Sequence, residues 1–142
     1  MSTTTNTSEG TAELKDLITR LTNEHRQILS QANELESCLS NPLNVQILEK
    51  PTTDMYDKLG EHMLIEESEL YPKIVELGMF DETISGIMQQ HHDLTAELNR
   101  MRSSLRLNDF KEFRSSLKRL KQILMPHQSA EEVKVFPLLN SY

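Results

Sequence analysis

The sequence predicts an all-α protein, an up-down-up-down four-helix bundle, on three observations. Apolar residues recur at the helical period in four separate stretches, and the segments between those stretches are too short for long crossovers. The two halves of the chain also repeat one another. In each half a histidine (His62, His127) is followed four residues later by a glutamate (Glu66, Glu131), then by a second glutamate (Glu67, Glu132), an aromatic residue (Tyr71, Phe136) and a proline (Pro72, Pro137), with the two copies 65 residues apart throughout. A further histidine precedes each copy, His25 by 37 residues and His91 by 36.

Residues 1–10 are rich in Ser, Thr and Asn and read as a disordered tail, leaving residues 11–142 as one bundle domain. The first stripe is Leu14, Leu17, Ile18, Leu21, Ile28, Ala32, Leu35 and Leu39, with His25 standing inside it. It predicts a helix from about Thr11 to Leu39 that stops before Asn41-Pro42, because the residue ahead of a proline resists the α region. Residues 41–53, with Pro42 and Pro51, read as a connection holding one helical turn. A second helix then opens between Pro51 and Asp54 and shows Met55, Leu59, His62, Met63, Glu66 and Leu70 on one face. Pro72 should end or bend it, and Gly78 should stop it.

Asp81 is the expected cap of the third helix, whose stripe is Ile84, Ile87, Met88, His91, Leu94, Leu98, Met101 and Leu105. Register selects His91 over His92 as the inward histidine, since it stands seven residues after Ile84 and seven before Leu98. After Asn108-Asp109 the fourth helix presents Phe113, Leu117, Leu120, Leu124, His127 and Glu131. Pro126 predicts a kink or bulge at residues 122–126, and the helix should end around Phe136.

Fifteen basic against twenty-two acidic residues give a net charge of −7, which argues against nucleic acid or anionic lipid held on a basic surface. The single Cys38 excludes an internal disulfide and fits a reducing cytoplasm. The opening residues lack a basic and an apolar region, and no run of about 18 apolar residues occurs, so neither a signal peptide nor a membrane span is expected.

On a helix, positions i and i+4 share a face with Cβ atoms about 5–6 Å apart, so His62 with Glu66, and His127 with Glu131, can address a common centre. One histidine on a core stripe is ordinarily a satisfied core residue. Four of the five histidines on four stripes, joined by two glutamates, are a different matter. Burying Glu66 and Glu131 ionised and alone would cost several kcal/mol each, a cost that a cation offsets. Imidazole with carboxylate suits iron and comparable metals, and six donors with two potentially bridging carboxylates fit a dinuclear site better than a four-coordinate zinc. No histidine follows a glutamate by three residues, which disfavours the ferritin-like pattern, and no phosphate loop or hydrolase motif occurs. Glu67 and Glu132 read as solvated charges before outer partners of a histidine. Tyr71 and Phe136 read as packing residues, ahead of a hydrogen bond from the Tyr71 hydroxyl to a metal-bound ligand, and Met55, Met63, Met88, Met101 and Met125 as core filler. Cys38 carries no assigned role.

A histidine on each of helices one and three, and the doubled His-x-x-x-Glu-Glu element with its aromatic-proline end on helices two and four, make the chain resemble the hemerythrin-like, or HHE cation-binding, family over roughly residues 14–138. The resemblance implies two non-haem iron ions, oxo- or hydroxo- and carboxylate-bridged, with His25 and His62 serving one, His91 and His127 the other, and Glu66 and Glu131 bridging both. Oxygen-carrying members have a further histidine at the place of Thr95, and an aspartate five residues after the helix-four histidine where this chain offers Glu131 at four. The set of four histidines and two glutamates is closer to bacterial hemerythrin-like proteins. The implied function is binding or sensing of a small oxidant, oxygen, nitric oxide or peroxide, in oxygen or nitrosative and oxidative stress, at a position that Thr95 leaves open. A di-iron enzyme of peroxidase-like, nitric-oxide-reducing or iron-centre-repair type, and an interaction module with a structural metal, stand as alternatives.

Overall fold

The computed structural model describes residues 3–39 and 44–140, with side chains over 13–39 and 44–139. Four helical rods form the bundle. α1 is Thr3–Cys38. α2 (Val45–Ile65) runs through a π turn, Glu66–Leu70, into α3 (Tyr71–Glu76). α4 is Glu82–Arg106, and α5 (Phe110–Ala130) runs through a second π turn, Glu131–Val135, into α6 (Phe136–Asn140). α1 packs on α2, α2 on α4 and α4 on α5, while α5 and α6 close back on α1, the order of an up-down-up-down four-helix bundle.

Local chemistry sets the ends of the rods. Asn44, Asp81 and Asp109 cap α2, α4 and α5, each side chain accepting a backbone N–H of the first turn, from Gln46, Ile84 and Glu112 respectively. Gly78, at φ 72°, ends α3 with Met79 N–H donating to the Ile74 carbonyl at 3.0 Å. Asn108, at φ 57°, ends α4 in the same way through Asp109 N–H and the Ser104 carbonyl at 2.8 Å. Both are Schellman closures, which need the left-handed backbone that glycine and asparagine adopt most readily.

The structure departs from the sequence-based boundaries where stripe and proline were the only guides. α1 begins at Thr3 rather than Thr11, since a stripe marks only the turns that present apolar residues at helical spacing. The expected stop at Asn41-Pro42 lies outside the described residues. α2 begins at Val45, because Asn44 supplies the cap and Leu48 is already buried; Pro51 is carried inside it, missing one backbone bond near the start of the rod. No bulge occurs at 122–126: α5 runs through Pro126, and the wider turn lies at 131–135. Each π turn is closed by an amide bonding five residues back, Tyr71 to Glu66 and Phe136 to Glu131, directly ahead of Pro72 and Pro137. A proline cannot bond to the carbonyl four residues earlier, and the wider turn accommodates that gap without breaking the rod. The fourth rod therefore continues past Phe136 to Asn140.

The core is divided in two. One apolar cluster holds Ile28, Leu35, Leu48, Met55, Leu94, Met101, Phe113, Leu120 and their neighbours; the other holds Leu14, Ile18, Leu21, Leu70, Tyr71, Ile74, Ile87, Val135 and Phe136. His25 falls between Leu21 of one cluster and Ile28 of the other, so a polar layer crosses the bundle between two dry plugs. Met55, Met63 and Met101 are core filler as expected, whereas Met88 and Met125 are exposed, at 36% and 52%. Leu120→Ala is expected to lower the unfolding free energy by about 2–5 kcal/mol through the cavity it leaves. Asp81→Ala should cost about 1 kcal/mol through loss of the cap, both read by urea denaturation at fixed metal content.

Candidate metal centre

Each rod delivers one histidine to the polar layer: His25 from α1, His62 from α2, His91 from α4 and His127 from α5, all 2–3% exposed. Glu66 and Glu131 are the first residues of the two π turns and are fully buried. The four imidazoles turn Nε2 inward. His25 Nε2 lies 3.1 Å from Glu131 Oε1 and 3.9 Å from Glu66 Oε2. His62 Nε2 lies 3.3 Å from Glu66 Oε2, and His91 Nε2 lies 2.9 Å from Glu66 Oε1. His127 Nε2 stands 3.3 Å from Glu131 Oε1 and 3.7 Å from Glu66 Oε1.

The donor atoms form two groups, His25, His62, Glu66 and Glu131 in one and Glu66, His91 and His127 in the other, each within 4.8 Å. Glu66 belongs to both, reaching each group with a different oxygen. Glu131 is counted only in the first group, yet its Oε1 is as close to His127 as to His25 within a few tenths of an ångström. Both carboxylates therefore stand between the two histidine pairs.

A second layer fixes the rings through Nδ1, and it follows the same pseudo-twofold repeat. Glu24, just ahead of His25, accepts from His62 Nδ1 at 2.8 Å; Gln90, just ahead of His91, accepts from His127 Nδ1 at 2.8 Å. Glu67, just after Glu66, accepts from His91 Nδ1 at 3.0 Å, and Glu132, just after Glu131, stands 3.8 Å from His25 Nδ1. With Nδ1 carrying the proton, Nε2 is left as a lone pair aimed at the centre, the arrangement that orients a metal-binding imidazole. Gln128 ties the layer to the backbone by donating to the His25 carbonyl at 3.1 Å.

Electrostatics make the demand for positive charge explicit. Burial works against a charged His25 and a charged His127, but the neighbouring carboxylates of Glu131 and Glu66 prevail and raise both to about 9. Burial likewise pushes the Glu66 carboxyl up, and the surrounding imidazoles of His127, His25, His62 and His91 outweigh it and hold the group well below the usual carboxylate range. Among the described residues, His62 Nε2, His127 Nε2 and Glu66 Oε2 are buried with no hydrogen-bond partner despite their proximity. A lone pair facing a carboxylate oxygen at about 3 Å needs a proton or a cation between them. With metal–donor bonds of about 2.0–2.2 Å, neighbouring donors sit about 3 Å apart, the spacing found here. The donor set fits cations.

All six residues singled out from the sequence, His25, His62, Glu66, His91, His127 and Glu131, meet in this layer, while His92 is exposed. Thr95 is exposed, and its hydroxyl donates to the His91 carbonyl at 2.8 Å, so it adds no donor to the set. For Glu67 and Tyr71 the less favoured of the two readings applies, although Glu67 is also half exposed. Glu67 holds His91, and the Tyr71 hydroxyl stands 2.9 Å from His91 Nε2 and 3.4 Å from Glu131 Oε2. Burial, then the charges of Glu66 and Glu131, push the Tyr71 phenol far above its ordinary value, so it remains a protonated donor. Sequence reasoning missed Glu24, Gln90 and Gln128, although the adjacency of Glu24 to His25 and Gln90 to His91 under the half-to-half repeat was the available signal.

Two outcomes are expected. The folded values of His25 and His127 lie above the ordinary 6.5, so their contribution to the metal-free protein is full below about pH 6.5 and is lost as pH rises through about 9. Thermal melts of chelator-treated protein should therefore fall across that window. Glu24→Ala, which removes the partner of His62 Nδ1, should weaken cation binding about 10–100-fold, measured by competition with a chelator.

No curated protein and no solved structure matches the chain. The family profile described as the Hemerythrin HHE cation binding domain matches residues 13–139, which takes in every rod and all six donors. The chain belongs to the hemerythrin HHE cation-binding family, and its buried histidines and glutamates are grouped as a cation site requires.

Proposed function

We propose that this chain is a non-haem di-iron protein that binds or senses a small oxidant, oxygen, nitric oxide or peroxide, in the handling of oxidative or nitrosative stress. The observation that carries the reading is the convergence of two histidine pairs on two fully buried carboxylates shared between them. In this reading His25 and His62 hold one ion, His91 and His127 the other, and Glu66 and Glu131 span both. Six imidazole and carboxylate donors with both carboxylates shared favour a dinuclear iron site over a closed four-coordinate zinc. Iron supplies the one-electron chemistry when bound.

The protein's own part is to orient and to exclude. Glu24, Gln90 and Glu67 fix three of the rings by their outer nitrogens, so the inner nitrogens converge without rearrangement. Leu21, Leu70 and Phe136 on one side, and Ile28, Leu59 and Leu94 on the other, keep the layer dry. A dry layer admits a small uncharged molecule while holding bulk water and protons away. The partner is therefore a diatomic or peroxide rather than a macromolecule. Among the described residues no helix is long and apolar enough to cross a membrane.

The test is anaerobic iron analysis with optical spectra before and after oxygen and nitric oxide, on the wild type and on Glu66→Ala. The expected outcome is about two irons per chain, spectra that respond to at least one of the gases, and loss of iron in the variant. Bound iron whose spectrum ignores oxygen, nitric oxide and peroxide alike would sink the reading and leave a structural metal. Turnover of peroxide abolished by His62→Ala would move the protein to the enzymes.

A further inference from the structure

The twofold repeat that builds the centre is broken at one pair of inward-facing positions. Tyr71 and Phe136 occupy equivalent places, each closing a π turn ahead of a proline. Phe136 lies flat against His25, with ring centroids 5.9 Å apart and planes 13° from parallel. Tyr71 tilts at 39° to His91 and carries its hydroxyl to within 2.9 Å of His91 Nε2. One half of the layer thus ends in a hydrocarbon edge and the other in an O–H.

That O–H is the unusual atom of the set. The inward imidazole nitrogens and the carboxylate oxygens all present lone pairs. Cations would engage those lone pairs. The Tyr71 hydroxyl, deprived of His91 Nε2 in that state, is left with a long 3.4 Å approach to Glu131 Oε2. A closer acceptor would take its hydrogen from that oxygen. Tyr71 also separates the layer from the outside, since a surface cavity of about 450 Å³, lined by Glu67, Phe80, Met88 and His92, has Tyr71 in its wall. The outer support differs in the same sense: His127 on this half is held by the neutral amide of Gln90, whereas His62 on the other half is held by the carboxylate of Glu24.

From this asymmetry we infer that the added ligand binds on the His91 and His127 half of the centre, reached from the cavity beside Met88 and Phe80, with the Tyr71 hydroxyl donating a hydrogen bond to it. The inference rests on the proposed di-iron reading and specifies which half takes the ligand and which residue selects it. A ligand with an acceptor atom, such as an anionic triatomic, nitric oxide or a peroxide, is favoured over one without.

The experiment is an optical titration of the oxidised, iron-loaded protein with azide, run on wild type, Tyr71→Phe and Phe136→Tyr, with iron content measured on each. Tyr71→Phe copies the residue that the other half already uses, so the fold should tolerate it. Loss of one hydrogen bond to a charged ligand should weaken azide about tenfold or more at unchanged iron content. Phe136→Tyr, on the opposite half, should leave azide affinity within about twofold. Equal affinity in wild type and Tyr71→Phe overturns the inference while leaving the di-iron reading intact. Loss of iron from Tyr71→Phe also overturns it, because the phenol would then hold the metal rather than the ligand. Wild-type protein that keeps two irons and binds neither azide nor nitric oxide would sink the oxidant-binding reading itself.

Discussion

Two carboxylates buried to zero exposure in the middle of a helical bundle set the terms for everything around them. A carboxylate removed from water loses several kcal/mol of solvation, and the surrounding hydrocarbon returns none of it. Glu66 and Glu131 are tolerable there only because four imidazoles stand within about 4 Å and because positive charge, a proton or a metal ion, resides among them. The bundle is a frame for that layer. Its apolar stripes are interrupted at one level on all four rods, with a buried apolar cluster on either side of that level.

The frame and the layer are coupled through the two π turns. An ordinary α-helix running into Pro72 or Pro137 would face a carbonyl with no amide to receive. A turn widened by one residue changes which carbonyl that is, and each rod carries such a turn at Glu66 and Glu131. The same local adjustment that lets a proline follow each motif places Tyr71 and Phe136 against the histidines of α4 and α1. Local backbone chemistry and the shape of the centre are one feature.

The layer is built as a pair of related halves, and the outer partners reproduce the relation. Glu24 and Gln90 serve the histidines of the next rods, Glu67 serves His91 on α4, and Glu132 approaches His25 on α1. The departures from symmetry are an amide for a carboxylate, a phenol for a phenyl, and a 3.8 Å approach for a 3.0 Å bond.

The sequence by itself determined the bundle, its four stripes, the six donors and the choice of His91 over His92, because helical period and the offset of 65 residues are properties of spacing alone. It also located the caps at Asp81 and Asp109, where a short acceptor side chain meets the start of a stripe. It did not reveal that α2 starts at Val45, that Pro126 is carried within a helix, that Thr95 faces solvent, or that Glu24, Gln90, Glu67 and Tyr71 belong to the site. Those features depend on which rod lies beside which and on the extra residue in each π turn. An outer partner such as Glu24 contacts a histidine 38 residues away across a helix interface. Periodicity reports the face a residue occupies on its own helix, whereas the atom it meets on the next one is settled only when the rods are packed.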